Sequence, residues 1–158
     1  MIKAQASVNS KEENEMSVKQ ISVFLENKPG QLNQLTETLS DHNVDLRALS
    51  LAETTDFGIA RFIVDDVLET VTILNEEGYI SRLTPVVAAE IPDEPGALNK
   101  VLKIFTDNNI NLEYMYAILS AEGSNAYMIF KVHDDAKASA ALVSNGIKVL
   151  SQEDMADL

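Results

Sequence analysis

The sequence predicts an α+β protein made of two copies of one βαββαβ unit, and three observations carry that expectation. First, the chain repeats itself. At a shift of 66, residues 27–46 and 93–112 share seven of twenty positions: Pro29/Pro95, Gly30/Gly96, Leu32/Leu98, Asn33/Asn99, Asp41/Asp107, Asn43/Asn109 and Leu46/Leu112. Self-similarity at a fixed shift marks a duplicated structural unit. Second, apolar residues return at helical spacing after each Pro-Gly pair, as Leu32, Leu35 and Leu39 and again as Leu98, Val101, Leu102 and Phe105. Third, "FIVDD" from Phe62 and "FKVHDD" from Phe130 align at a shift of 68, so two extra residues sit in the preceding hairpin turn of the second copy.

The elements follow in order. Strand one is expected over Gln20–Glu26 and Val86–Ile91. Helix one follows each Pro-Gly pair and ends at "DHNVD" or "DNNIN", because Asn tolerates the left-handed conformation that terminates helices. Strand two is expected over Asp45–Glu53 and Asn111–Ser120, and the polar turns "TTDFG" and "AEGSN" lead to strand three, Ile59–Val64 and Tyr127–Val132. Asp65-Asp66 and Asp134-Asp135 precede a second helix near Leu68–Glu77 and Ala136–Ser144, with Gly78 and Gly146 at the helix ends. Strand four is expected over Tyr79–Thr84 and Ile147–Leu150. The order is that of the ferredoxin-like unit, an antiparallel sheet with both helices on one face. Expected domains are a flexible extension over 1–16, then units over 17–84 and 85–158. Units of this size are marginal alone. Only Pro85 and a neighbour separate them, so the two sheets are expected to pack side by side or edge to edge.

Composition narrows the function. The chain has 158 residues, 46% apolar and 23% charged, with a formal net charge of -13. Its arginines are Arg47, Arg61 and Arg82, too few and too scattered for a nucleic-acid surface. The absence of cysteine excludes disulfides, thiolate nucleophiles and cysteine-ligated metals. No apolar run is long enough to span a membrane. The opening "MIKAQASVNSKEENEM" has no hydrophobic segment of a secretory signal, so a cytoplasmic protein is expected. That opening is polar and aperiodic, and Met16 is a candidate start.

The Pro-Gly loop is the first candidate for chemistry. Pro29 fixes its own backbone and holds Lys28 extended. Gly30 has no Cβ, so a ligand can approach the main chain. The first N–H groups of the following helix have no helical partner. Such a place can seat a carboxylate or phosphate; equally, Pro-Gly is ordinary turn punctuation.

The pattern Asn/Asp-x-Pro-Gly-x-Leu after a strand, in a βαββαβ unit, resembles the ACT domain. "ENKPGQL" with "HNVDL" and "DEPGAL" with "NNINL" carry the resemblance, which covers Gln20 to Leu150. Two such modules without an enzyme domain look like small stand-alone tandem ACT proteins. The resemblance implies a free amino acid or similar small ligand held between modules. The loop amides would hold its carboxylate, and polar residues flanking the loop and opening strand two its ammonium. Carried over by position, the first copy offers Asn27, Pro29, Gly30, Gln31, Leu32, Asp45 and Leu46, and the second Asp93, Pro95, Gly96, Ala97, Leu98, Asn111 and Leu112. Each copy has one carboxylate and one amide at the two polar positions, in exchanged order. Asp45 and Asn111 are also natural turn residues. The histidine that some ACT sensors carry just before the loop is replaced by Leu25 and Ile91, which argues against recognition through it.

Other candidates are weaker. Tyr114 and Tyr116 share a strand face and suit a subunit interface or a ligand's side chain. His42 and His133 read as solvated, and the Asp pairs as helix caps; a metal at His133 is the costlier reading. No catalytic triad, paired acid and base, or nucleotide-binding loop is present. An acylphosphatase-like enzyme of this topology would need an arginine in the first loop, where Lys28 and Glu94 stand instead. The expected protein is therefore a non-catalytic regulator, without cofactor or metal. It binds an amino acid, is a homo-oligomer (a dimer) and acts on a partner protein. The alternative is an interaction module without ligand.

Overall fold

The computed structural model describes residues 17–118 and 125–158. The expectations for 1–16, for the end of strand two at 119–120 and for most of the "AEGSN" turn lie outside them. The elements are β1 (Val18–Glu26), α1 (Gln31–Asp41), β2 (Leu46–Glu53), β3 (Phe57–Val64), α2 (Val67–Glu76), β4 (Ile80–Pro92), α3 (Ala97–Asp107), β5 (Leu112–Ala117), β6 (Asn125–Val132), α4 (Asp135–Ser144), β7 (Lys148–Leu150) and α5 (Gln152–Ala156). The chain divides into two compact units, one of Lys19–Thr84 and one containing Pro85–Leu158.

In the first unit the strand order is β2-β3-β1-β4, with β1 and β2 antiparallel to β3. Ile21, Val23 and Leu25 of β1 and Ala60, Phe62 and Val64 of β3 share a core with Leu35 and Leu39 of α1 and Leu74 of α2. Alternate strand residues point to one sheet face, so both helices cover that face. The second unit has order β5-β6-β4, with β7 pairing β4. Its core joins Val87, Ala89, Ile91, Phe130 and Val132 to Val101 and Phe105 of α3 and Ala138 and Leu142 of α4.

The helix ends are built alike. Asn43 and Asn109 have φ of 56° and 53°, and Gly78 and Gly146 of 79° and 76°. After each, the next residue's N–H returns to a carbonyl five residues back, as in Val44 to Leu39 at 2.9 Å and Ile110 to Phe105 at 2.8 Å. This is the Schellman ending that a left-handed residue permits. Asp66 and Asp134 cap α2 and α4, accepting from the N–H of Glu69 at 2.9 Å and Lys137 at 3.0 Å.

Three details differ from expectation. The two strands expected on either side of Pro85 are one: β4 runs unbroken from Ile80 to Pro92, although the compact units divide at Thr84 and Pro85. Pairing with β6 begins at Val87, two residues past the proline that has no N–H to give. Strand two starts at Leu46 and Leu112, so Asp45 and Asn111 lie ahead of it. In both copies the register then slips by one residue, leaving Arg47 and Glu113 as bulges opposite β3 and β6. Finally, α5 is an unforeseen extra turn of helix. A capping box between Ser151 and Asp154 starts it, and its Met155 is fully buried.

Phe130 is fully buried and meets Phe105 edge-on at 5.3 Å. Phe130→Ala should cost about 3–5 kcal/mol in urea unfolding; a loss under ~1 kcal/mol would show that this contact does not organise the second core.

Candidate ligand-binding site

The two Pro-Gly loops have the same backbone. Gly30 and Gly96 cap α1 and α3 with φ of 87° and 93°, and no side chain caps either helix. Lys28 N–H reaches Glu26 O at 2.8 Å and Gln34 N–H reaches Gly30 O at 2.9 Å. Their counterparts, Glu94 to Pro92 and Lys100 to Gly96, are at 2.9 and 3.1 Å. A Cβ placed on either glycine would meet nothing within 4 Å. Glycine is favoured here by the left-handed turn, and the space beside it is open.

The neighbouring residues divide into core and surface. Leu32 and Leu46 pack against the first core; Ala97 belongs to the second, and Leu98 and Leu112 pack against it. Asn27, Pro29, Gly30, Asp93, Pro95 and Gly96 are exposed, and Gln31 is half-buried. Asn27 is committed to the β2–β3 turn: its N–H donates to Asp56 O at 3.0 Å and its side-chain amide to Thr54 O at 3.2 Å. Asp93 has no side-chain partner among the described residues.

Asp45 and Asn111 are not beside the loop of their own copy. Each follows the far end of helix one, and an 11-residue helix is about 16 Å long. One copy therefore cannot close its loop and its strand-two residue around a small ligand. Asp45 instead borders a surface cavity of about 560 Å³ with Thr36, Ser40 and Asn43. Asn111 borders one of about 360 Å³ with Asn109, Glu113, His133, Asp134 and Lys137. Sequence reasoning placed His133 and Asp134 at a helix start but missed that Glu113 and Lys137 join them; the repeated bulge is what turns Glu113 there.

The electrostatics of these two places differ. In the first unit the bulge residue Arg47 grips Asp65, donating from Nε to Oδ1 and from Nη2 to Oδ2, both at 2.8 Å. Its other nitrogen lies 3.7 Å from Asp45. Those hydrogen bonds hold the Asp65 carboxyl below the usual carboxylate range, against partial burial. In the second unit the corresponding residues are Glu113 and His133. Nearby, burial pushes the Asp135 carboxyl up, Lys131 opposes this from 3.8 Å, and Asp134 and Glu113 add to it. Asp135 Oδ1 is buried without a hydrogen bond among the described residues. No cluster of three metal-ligating side chains occurs among the described residues, and none of their helices is long and apolar enough to cross a membrane.

A family model described as the ACT domain pair matches residues 16–158. The structure is similar to a crystal structure of a protein from Bacteroides thetaiotaomicron. That protein is 36% identical over 92% of this chain and 99% of its own, with a TM-score of 0.85. It shares its fold with the ligand-free regulatory subunit of aspartate kinase from Thermus thermophilus, at 17% identity over 81% of this chain and 90% of that one, TM-score 0.61. It also shares it with aspartate kinase from Synechocystis, at 18% identity over 89% of this chain and 28% of that one, TM-score 0.53. No curated protein matches the chain.

The Arg47–Asp65 pair makes stability depend on pH with a definite sign. Because the folded carboxyl titrates below its unfolded value, its contribution is full above that value, near pH 4, and is lost as pH falls through the folded value. Both side chains are partly exposed, so the contribution is about 0.5–1 kcal/mol. Asp65→Asn should be less stable than the parent by that amount at pH 7, and the gap should close in acid. Denaturation at both pH values checks this; a gap that stays constant would mean the pair is electrostatically idle.

Proposed function

We propose that this chain, which belongs to the ACT domain pair family, is a non-catalytic regulator that binds a free amino acid between ACT modules. Binding alters its contact with a partner protein or with a second copy of itself. The observation that carries this reading is the repeated left-handed glycine at a helix N-terminus without a side-chain cap, with open space beside the glycine. Such backbone N–H groups suit a carboxylate. The opposite placement of loop and strand-two residue supports a site assembled from two modules, one giving Gly30 or Gly96 and another giving Asp45 or Asn111. The likeness in fold to a kinase regulatory subunit supports a regulatory role. A homodimer in the cytoplasm, without cofactor or metal, fits the reading.

A second reading, an interaction module without ligand, has one observation in its favour: in the first copy Asn27 is tied to a turn and Asp45 faces Arg47.

Thermal shift with single amino acids at millimolar concentration separates the two. A ligand at 100 times its dissociation constant should stabilise by ~2.7 kcal/mol; no shift with any amino acid would favour the second reading. Gly30→Val and Gly96→Val are poor probes, because a β-branched residue is strained at positive φ. Gly30→Asn and Gly96→Asn tolerate that backbone and still place a side chain in the approach. At least one should weaken binding roughly tenfold, about 1.4 kcal/mol, with the unliganded melting temperature nearly unchanged. Unaltered binding in both would remove the loops from the site.

A further inference from the structure

Duplication copied the frame of the two modules but not the charges at the bulge. At position 47 the first copy has an arginine, which answers both Asp65 and Asp45. At the corresponding position the second copy has Glu113, and opposite it His133 replaces Asp65. Lys137 stands where the first copy has Glu69. The cavity beside Asn111 is therefore lined by two acids, a lysine, a histidine and two amides, with Ile110. Among the described residues, Asn109, Asn111, Glu113, His133 and Lys137 make no side-chain hydrogen bond or ion pair with protein. The only lining side chain with such a bond is Asp134, which caps α4.

We propose that each chain has one ligand site, at this cavity of the second module, where Glu113 receives a primary ammonium and Lys137 with the Asn111 amide receives the carboxylate of a small α-amino acid. The inference rests on the reading above that the chain senses an amino acid, and it moves the carboxylate from the loop amides to Lys137 and Asn111. The chemistry of the lining matches a zwitterion: a carboxylate pairs with an ammonium, and an ammonium with an amide can hold a carboxylate. The volume of about 360 Å³ lies at the small end of ligand sites. A bound ammonium would also answer Asp134 and Glu113, which add to the upward push that burial gives the Asp135 carboxyl. In the first module Arg47 lies 3.7 Å from Asp45, so the carboxylate ahead of strand two already has a cationic neighbour.

The test uses the full chain and the common α-amino acids one at a time, followed by calorimetry with whichever gives the largest thermal shift. The expected result is one ligand per chain. Glu113→Gln and Lys137→Met should each weaken binding roughly tenfold or more, as loss of a charge-assisted hydrogen bond does. Arg47→Gln should leave affinity within about twofold, as for an exposed ion pair away from the site. The des-amino analogue of the ligand should fail against the parent. All three residues lie at the surface bulges or on an exposed helix turn, and melting of each unliganded variant confirms that it folds. Two ligands per chain, or full affinity in both Glu113→Gln and Lys137→Met, would overturn this assignment and leave the sensor reading standing. No binding of any amino acid by the parent would overturn both.

Discussion

The arrangement depends on how helix one is held at its two ends. At the start a glycine at positive φ turns the chain from strand into helix, and at the finish an asparagine at positive φ turns it out again. Between them lie 11 residues in each copy. The left-handed residues fix where the helix begins and stops, and the leucine or valine–phenylalanine stripe between them fixes its rotation on the sheet. Loop and strand-two opening are thereby placed a helix length apart. A small ligand within one copy could reach one of the two but not both, so under the proposed reading ligand binding and module contact would be thermodynamically linked.

The same frame tolerates very different charges. Both copies have the bulge at the second residue of strand two, the capping aspartate on the second helix and the Schellman endings. These are requirements of the backbone. What hangs from the bulge is unconstrained by it: an arginine in one copy and a glutamate in the other. Replacing Arg47 by Glu113 and Asp65 by His133 removes an internal ion pair worth little to stability and uncovers polar groups. After duplication this is an inexpensive way to make two equal folds chemically unequal.

How far the sequence carried this can be followed residue by residue. The duplication, the order of elements, the helix-ending role of Asn43 and Asn109 and the capping role of Asp66 and Asp134 were legible, because each depends on local chemistry. Pro85 misled, since a proline within an apolar run reads as a break, whereas here it lies just ahead of the β6 ladder and leaves the strand whole. The α5 turn had a signal in Ser151 and Asp154 that stood apart from the repeat and went unused. The grip of Arg47 on Asp65 and of Asn27 on Thr54 had no local signal. Those pairs are 18 and 27 residues apart and meet only through sheet register. The assembly of Glu113, His133 and Lys137 around Asn111 needed the bulge, which no spacing rule marks.

The charge difference at the bulge bears on how two copies of one frame could respond to a ligand. If both copies held ligand equally, the two sites of a chain would push the same contact twice, and a graded response would follow from simple occupancy. On the proposed assignment the first module, with Arg47 beside Asp45, would offer no free carboxylate there to an ammonium. A ligand shifts an equilibrium only through its preference for one state over another. On that assignment the first module would be a fixed surface, and the second alone would change its charge balance on binding. The difference between free and bound states would then be concentrated at Glu113 and its neighbours rather than spread over two copies.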